Sequence, residues 1–358
     1  MKQKRTAFIT FFPIKPDNMG SSAVINSRFN SWPLKKKIFQ LSHLDKYEGQ
    51  NVETFQIKKE NPYNKIINLH RIIFGAYKYL KYGKKNILVI EGASWIFYSF
   101  CTLIFFKLFS PSTRVIYISH SIEYEVRKKY SNFFIYYFTF ILEYFVFKLA
   151  FISTSVSKFE KKKIYKLYGQ KTYIYPNGVN IRTQDFKKII KYKYIIYTGS
   201  YQYKPNKIAI DYLNEIIMPN LIKEFPDIKL VLTGGGYKKK FSWLINKGVV
   251  KKNLLYNLIN FASCMCVPLD FGTGTRIKII EALMLGCVVL STKKGIEGID
   301  IIKRNPPFIS SKKKMIKKLI FILKNRKKFK KKSDRFKKHY INKYSMKNIT
   351  RRFINYII

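Results

Sequence analysis

The chain has 358 residues, 47% of them hydrophobic and 17% aromatic, which excludes a disordered polymer and provides for two domains of ordinary size. Lys plus Arg number 69 against 20 Asp plus Glu, a formal charge of +49. Such a surplus attracts polyanions, whether nucleic acid, anionic lipid head groups or phosphorylated substrates. Lys, Ile, Asn, Phe and Tyr crowd the sequence together, and all five have codons made only of A and T, so an AT-rich coding sequence is an equal cause. The cysteines are Cys101, Cys264, Cys266 and Cys287. Cys264-Met265-Cys266 has no His or Cys partner at zinc-like spacing, and the reading is a reducing compartment with no disulfide framework and no structural metal.

The apolar run Ala7–Phe12 stops at Pro13. It is too short for a signal-peptide core and lacks a small-residue cleavage site, so it is expected to be a first strand. A turn-rich loop carrying Gly20, Ser21 and Ser22 follows, then the helix-like stretch Ala23–Trp32. Lys36–Leu41 and Asn51–Ile57 read as strands, Tyr63–Tyr82 as a helix, Asn86–Glu91 as a buried strand and Arg114–Ser119 as another, ending at His120. Ala93–Phe106 carries no charge, and Phe133–Ile152 carries only Glu143 and Lys148. Both are expected as buried helices. For the second, a helix lying in a membrane interface is the next choice, and a transmembrane span is the least favoured for either.

Phe151–Ser155 is a strand, Lys158–Tyr168 a helix and Lys171–Tyr175 a short strand, leading to the turn Pro176-Asn177-Gly178-Val179-Asn180. The Lys-rich stretch Arg182–Lys193 looks like a linker. The alternation then restarts with strand Tyr194–Tyr197, helix Lys207–Phe225, strand Ile228–Thr233, the turn Gly234-Gly235-Gly236, strand Phe261–Pro268, helix Arg276–Leu285 and strand Cys287–Ser291. Past Ser310 the chain is basic and helical. This is an α/β pattern of two doubly wound, Rossmann-like domains, with ligands expected at the carboxyl ends of the strands, in a central cleft that the domains face.

The most informative stretch runs from Val267 to Val289: strand, Gly-rich loop, helix, Gly, strand. Gly272 and Gly274 let backbone approach a ligand closely. Thr273 or Thr275 can cap the following helix, whose free first-turn N–H groups and dipole favour an anion. Arg276 and Lys278 add full charges, making a diphosphate site. Ile277, Ile280 and Met284 share one helix face; Lys278 and Glu281 share the other, where Glu281 can accept from vicinal hydroxyls such as a ribose or form a solvated pair with Lys278. After its strand, Gly234 would let a donor approach or serve as an ordinary turn residue. Gly20 would approach a diphosphate or acceptor, or serve as an ordinary turn residue, as Asn177-Gly178 would.

On these residues the chain resembles a family. Gly272-Thr273-Gly274-Thr275-Arg276-Ile277-Lys278-Ile279-Ile280-Glu281-Ala282, then Ser291-Thr292 and Gly295-Ile296-Glu297-Gly298, are similar to the donor-site signature of retaining family-four glycosyltransferases with the GT-B fold (glycosyl transferases group 1). Tyr197-Thr198-Gly199-Ser200-Tyr201 with Lys204-Pro205-Asn206 resembles the opening of that family's C-terminal domain. Tyr175–Asn180 resembles its interdomain turn, and Ser119-His120-Ser121-Ile122-Glu123 its active-site histidine motif. Residues 1–180 are then an acceptor-side N-terminal domain, 181–193 a linker, 194–335 a nucleotide-sugar-binding domain, and 336–358 a helix expected to return to the N-terminal domain. Many members have two glutamates, the first of which would fall at Thr273; this chain resembles the branch with a Gly-Thr-Gly-Thr loop there.

The resemblance implies transfer of a sugar from a nucleotide-diphosphate sugar with retention, His120 beside the sugar, and Arg276 and Lys278 with the helix N-terminus stabilising the leaving diphosphate without a metal or other cofactor. Glu123, Asn177 and Asn206 are lesser candidates, Glu123 also being a plausible helix-dipole partner. The basic surface and aromatic segment suit a glycan or lipid-linked acceptor in cell-surface polysaccharide synthesis, with the chain in the cytoplasm and peripheral at the anionic inner face of the plasma membrane. The competing classes are a basic nucleic-acid- or polyanion-binding protein, supported by charge alone without a recognised binding motif, and a catalytically inactive scaffold of the same fold. No nucleic-acid partner is expected.

Overall fold

Parallel strands covered on both faces read as near-continuous apolar runs, and the chain folds around two sheets of this kind. The computed structural model describes residues 4–15, 20–44, 49–83, 86–181, 186–272, 274–302 and 308–357. Two compact units emerge, Met1–Asn177 with Met346–Ile358, and Gly178–Ser345.

In the first unit the order is β1 (Arg5–Thr10), α1 (Gly20–Ser31), β2 (Lys35–Ser42), β3 (Val52–Gln56), α2 (Pro62–Ile67), α3 (Leu69–Lys81), β4 (Ile87–Gly92), α4 (Ile96–Phe109), β5 (Arg114–Ser119), α5 (Glu123–Tyr130), α6 (Phe133–Leu149), β6 (Ile152–Ser155), α7 (Lys158–Tyr168) and β7 (Tyr173–Ile174). The strands pair in parallel in the order β3-β2-β1-β4-β5-β6-β7. Alternate residues feed opposite faces: Ala7, Ile9, Leu88 and Ile90 join one core, and Phe8, Ile38, Val89 and Ile116 join the other. The strand order reverses between β1 and β4, so the crevice of this sheet lies at their carboxyl ends.

The apolar run at 133–152 is helical only to Leu149 and then turns into β6. Its buried charge has a structural task. Glu143 accepts from the backbone N–H of Glu123 (2.8 Å) and Tyr124 (3.0 Å) and from Tyr168 Oη (2.6 Å), so it serves the N-terminus of α5 across the interface between the helices. The helix expected over Tyr63–Tyr82 is two, broken at Asn68. Gly20, expected in a loop, is the first residue of α1.

In the second unit the order is β8 (Tyr194–Thr198), α8 (Lys204–Tyr212), a π-helical turn (Leu213–Ile217), α9 (Met218–Glu224), β9 (Lys229–Thr233), β10 (Leu244–Asn246), α10 (Lys252–Phe261), β11 (Cys264–Val267), α11 (Ile277–Met284), β12 (Val289–Ser291), β13 (Phe308–Ile309), α12 (Lys312–Lys324) and α13 (Arg326–Tyr344). Its parallel sheet has the order β10-β9-β8-β11-β12-β13 and reverses between β8 and β11. The single helix expected over Lys207–Phe225 starts earlier, at Lys204, and widens at Leu213–Ile217. Pro219 explains the widening: it has no N–H, and its ring crowds the carbonyl four residues back. Phe261 closes α10 and is not the first residue of a strand.

The chain runs in the second unit through α13, which packs on α11, beyond the expected boundary at 335. The last helix, α14 (Met346–Ile357), belongs to the first unit, where Phe353 stacks on Tyr175 with ring centroids 4.6 Å apart. Among the described residues no helix is long and apolar enough to cross a membrane.

Candidate functional site

At the reversal point of the second sheet, the residues after β8, after β9 and before α11 converge. Gly199 leaves β8 at φ 138° and Gly234 leaves β9 at φ 111°. A Cβ on Gly234 would lie 2.4 Å from the carbonyl carbon and oxygen of Gly199, and a Cβ on Gly199 would lie 2.6 Å from Asn206 Nδ2 and 2.9 Å from Lys278 Nζ. Both positions therefore need glycine on two counts, sign of φ and space.

Asn206, in the first turn of α8, ties the groups together. Its Oδ1 accepts from Lys278 Nζ (2.9 Å) and from Tyr197 Oη (2.8 Å), and its Nδ2 donates to Ser200 O (2.9 Å). The Lys278 ammonium also sits 3.9 Å from the centroid of the Tyr197 ring. Burial, with the neighbouring Arg276 charge adding to it, lowers this ammonium to about 7.

In the Gly-rich loop Gly272 has φ 118° and Gly274 has φ 73°. Arg276 donates Nη2 to Gly272 O (3.0 Å) and Nη1 to Gly274 O, so its guanidinium fixes the loop while placing a positive charge beside it. This corrects two details. Arg276 is the residue that precedes α11, not its first turn, and no side chain caps the helix. Thr275 Oγ1, expected as a cap, is buried without a hydrogen-bond partner among the described residues. Thr273 lies outside the described residues.

Glu281 is buried in α11, and burial raises its carboxyl to about 7. It accepts from Tyr256 Oη at 3.5 Å, while Lys278 turns to Asn206; the solvated Lys278–Glu281 pair is not formed. The helix is less two-faced than expected, with Ile279 and Ile280 both wholly buried.

The remaining candidates belong to the first unit. His120 follows β5 directly and is 8% exposed, and its Nε2 lies 2.7 Å from Glu91 Oε2. Glu123 opens α5 and is held by Arg127, at 3.0 Å to Nε and 2.9 Å to Nη2; burial raises its carboxyl to about 7. The pair is an i,i+4 one along α5, while Glu143 is the carboxylate that accepts from the first N–H groups of that helix. Asn177 is buried with Oδ1 unpartnered among the described residues. At Gly20 a Cβ would meet nothing within 4 Å.

Residues 192–325, which hold β8 to α12 and every donor-site candidate of the second unit, match the family model of glycosyl transferases group 1. This segment is a glycosyl transferases group 1 domain. The whole chain is similar in structure to sucrose-phosphate synthase from Thermosynechococcus elongatus, with TM-score 0.75 at 12% identity over 99% of this chain and 98% of that one. It is also similar to Anabaena Alr3699/HepE, solved in complex with UDP and glucose, with TM-score 0.70 at 11% identity over 99% of both chains. A glycosyltransferase from Rickettsia africae ESF-5 gives TM-score 0.66 at 12% identity over 99% of this chain and 98% of that one. No curated protein matches in sequence. The fold is GT-B, two Rossmann-like units with parallel sheets.

Two residues of this GT-B chain that sequence reasoning missed complete the surroundings of His120. Glu91 ends β4, and Arg28 on α1 donates Nη1 to Glu91 Oε2 at 2.5 Å, both side chains being wholly buried. A glutamate closing the apolar run Ile87-Leu88-Val89-Ile90 was the available signal, since a carboxylate is buried only with a partner. Among the described residues there is no group of three or more His, Cys, Asp or Glu side chains that could hold a metal ion.

Proposed function

We propose that the protein transfers a sugar from a nucleotide-diphosphate sugar to a glycan or lipid-linked acceptor, with retention, in cell-surface polysaccharide synthesis. One observation carries the reading: at the reversal point of the second sheet, two glycines with bare backbones, the Lys278–Asn206 pair and the Arg276-fixed loop meet at the uncapped start of α11. Donor N–H groups, two cations and room for a close approach are what a diphosphate requires.

Transfer breaks the anomeric C–O bond, and its electron pair leaves on the diphosphate. Lys278, Arg276 and the N-terminus of α11 stabilise that charge, so the chain supplies its own cations and needs no metal. Glu281 accepts from the ribose hydroxyls, and His120 serves the sugar. The acceptor's hydroxyl attacks from the face the leaving group departs, which preserves the anomeric configuration.

The first unit supports a lipid-bearing acceptor. A surface helix normally turns polar residues to water, yet α6 exposes Phe134 (81%), Tyr137 (53%) and Phe138 (44%), and with Trp95 and Ile141 these line a groove of about 470 Å³. With the charge of +49, this favours a peripheral place on an anionic membrane at the cytoplasmic face.

A thermal-shift screen of UDP, GDP and ADP and their sugars in EDTA tests the donor reading. One nucleotide diphosphate should stabilise the protein. Replacing Glu281 by Ala should weaken that nucleotide about 10- to 150-fold, the loss of a hydrogen bond to a charged group at about 1.5–3 kcal/mol. Stabilisation by an oligonucleotide and by no nucleotide diphosphate would overturn it.

A further inference from the structure

His120 is the outer end of a buried chain of polar and charged groups. Glu91↔Ile118 and Gly92↔Ser119 are paired in register on β4 and β5, so the carboxylate of Glu91 and the residue just after β5 emerge at one end of adjacent strands. Glu91 Oε2 receives Arg28 Nη1 at 2.5 Å from one side and lies 2.7 Å from His120 Nε2 on the other. Arg28 in turn lies over the ring of Tyr175, 4.8 Å from its centroid, and Tyr175 Oη is 2.9 Å from Thr350 Oγ1 on α14. Glu91 and Arg28 are wholly buried, and Glu91 Oε1 has no hydrogen-bond partner among the described residues.

Charge balance decides the state of the histidine. Burial favours a neutral Glu91, but the Arg28 charge and the His120 hydrogen bond outweigh it and hold the carboxyl below its ordinary value. Arg28 and Glu91 then cancel. A proton on His120 would leave a net positive charge in a dry site; burial lowers its ring, Glu91 opposes this, and Arg28 adds to the lowering. A neutral imidazole facing an ionised carboxylate must place its one N–H toward it, since that carboxylate only accepts.

We infer that Arg28 and Glu91 are positioning residues that fix His120 as the neutral Nε2–H tautomer, leaving Nδ1 as the ring's hydrogen-bond acceptor. Its partner is then a donor, a sugar hydroxyl, and not an anionic phosphate oxygen. This assigns His120 to orientation of the sugar and leaves compensation of the leaving diphosphate to the second unit. The link to the sugar rests on the transferase reading; the tautomer does not.

The test is the ring nitrogen spectrum of the full chain, labelled with ¹⁵N, with His120 assigned against His120→Gln. At pH 7 the expected result is a protonated Nε2 and an unprotonated Nδ1, in a neutral ring whose midpoint lies below the ordinary imidazole value. A proton on Nδ1, alone or in an imidazolium, overturns the inference. Arg28→Met supplies the second arm. The groups facing the His120–Glu91 pair are Arg28 from α1 and, beyond it, Tyr175. With Arg28 gone, His120 should titrate at a higher pH; an unchanged midpoint overturns the part given to Arg28. If that variant does not fold, the wild-type tautomer alone decides. Failure of every nucleotide diphosphate in the screen to bind would count against the transferase reading and leave the tautomer result standing.

Discussion

Nucleotide affinity should fall as pH rises, because Lys278 in the empty site loses its proton above about pH 7. Burial lowers its ammonium to about 7, and a bound diphosphate restores the charge. Binding above pH 7 therefore takes up a proton, and the dissociation constant carries a factor of 1 + 10^(pH − 7): about 4 at pH 7.5 and about 33 at pH 8.5, an approximately eightfold weakening. The terminal phosphate of UDP, with a second pKa near 6, is already ionised across this window. Glu281, raised by burial to about 7, acts in the opposite sense if ribose binding favours its anion, by only about 1.3-fold, which leaves a net loss of about sixfold. Isothermal titration of UDP at the two pH values, each in two buffers of different ionisation enthalpy, measures both the slope and the proton. At pH 7.5 the net uptake should be about half a proton, from about 0.8 gained at Lys278 and about 0.2 lost at Glu281. Lys278→Met keeps packing against Tyr197, and should bind UDP about 10- to 150-fold more weakly without the downward slope. Equal wild-type affinity at both pH values, or the same slope in Lys278→Met, would refute the assignment of Lys278 to the diphosphate.

Gly234→Ala should destabilise the protein by more than about 1 kcal/mol in thermal or urea melts, since its Cβ meets Gly199 backbone at a positive φ, whereas Gly20→Ala, at the open start of α1, should be neutral or stabilising by up to about 0.5–1 kcal/mol. His120→Ala should leave UDP affinity within about twofold, because His120 is not in the unit that holds the diphosphate residues, and should lower turnover once a donor is found. The folded protein should float with anionic liposomes, be released in part at about 1 M salt, where the Debye length is about 3 Å, and be released fully only by detergent. Replacing Phe134 and Phe138 by Glu should abolish the salt-resistant fraction; a wild-type protein that stays at the bottom of the gradient at low salt would refute the membrane reading.

The alternation of buried strands and helices was legible because parallel strands covered on both faces have little room for polar residues, as in Ile87–Ile90 and Cys264–Val267. Short edge elements were not. Leu244–Asn246 and Phe308–Ile309 are too brief for a period to show, and they depend on pairing with β9 and β12. The donor loop was legible from its glycines and charges, but not its internal bonding. Arg276 reaches back to loop carbonyls, and Lys278 reaches Asn206, 72 positions away in sequence. Long-range partners of this sort leave no local pattern, which is also why Arg28 and Glu91 went unread. Glu143 was visible only as a charge interrupting an apolar helix; its role at the N-terminus of α5 required the fold.

Amide hydrogen exchange with and without UDP, in EDTA, tests the central claim most directly, because it locates the nucleotide as well as detecting it. The account predicts slowed exchange at 199–206, 234–236 and 274–281, all in the second unit, with no metal added. Protection confined to other segments, or none with any nucleotide diphosphate that is tried, would contradict it.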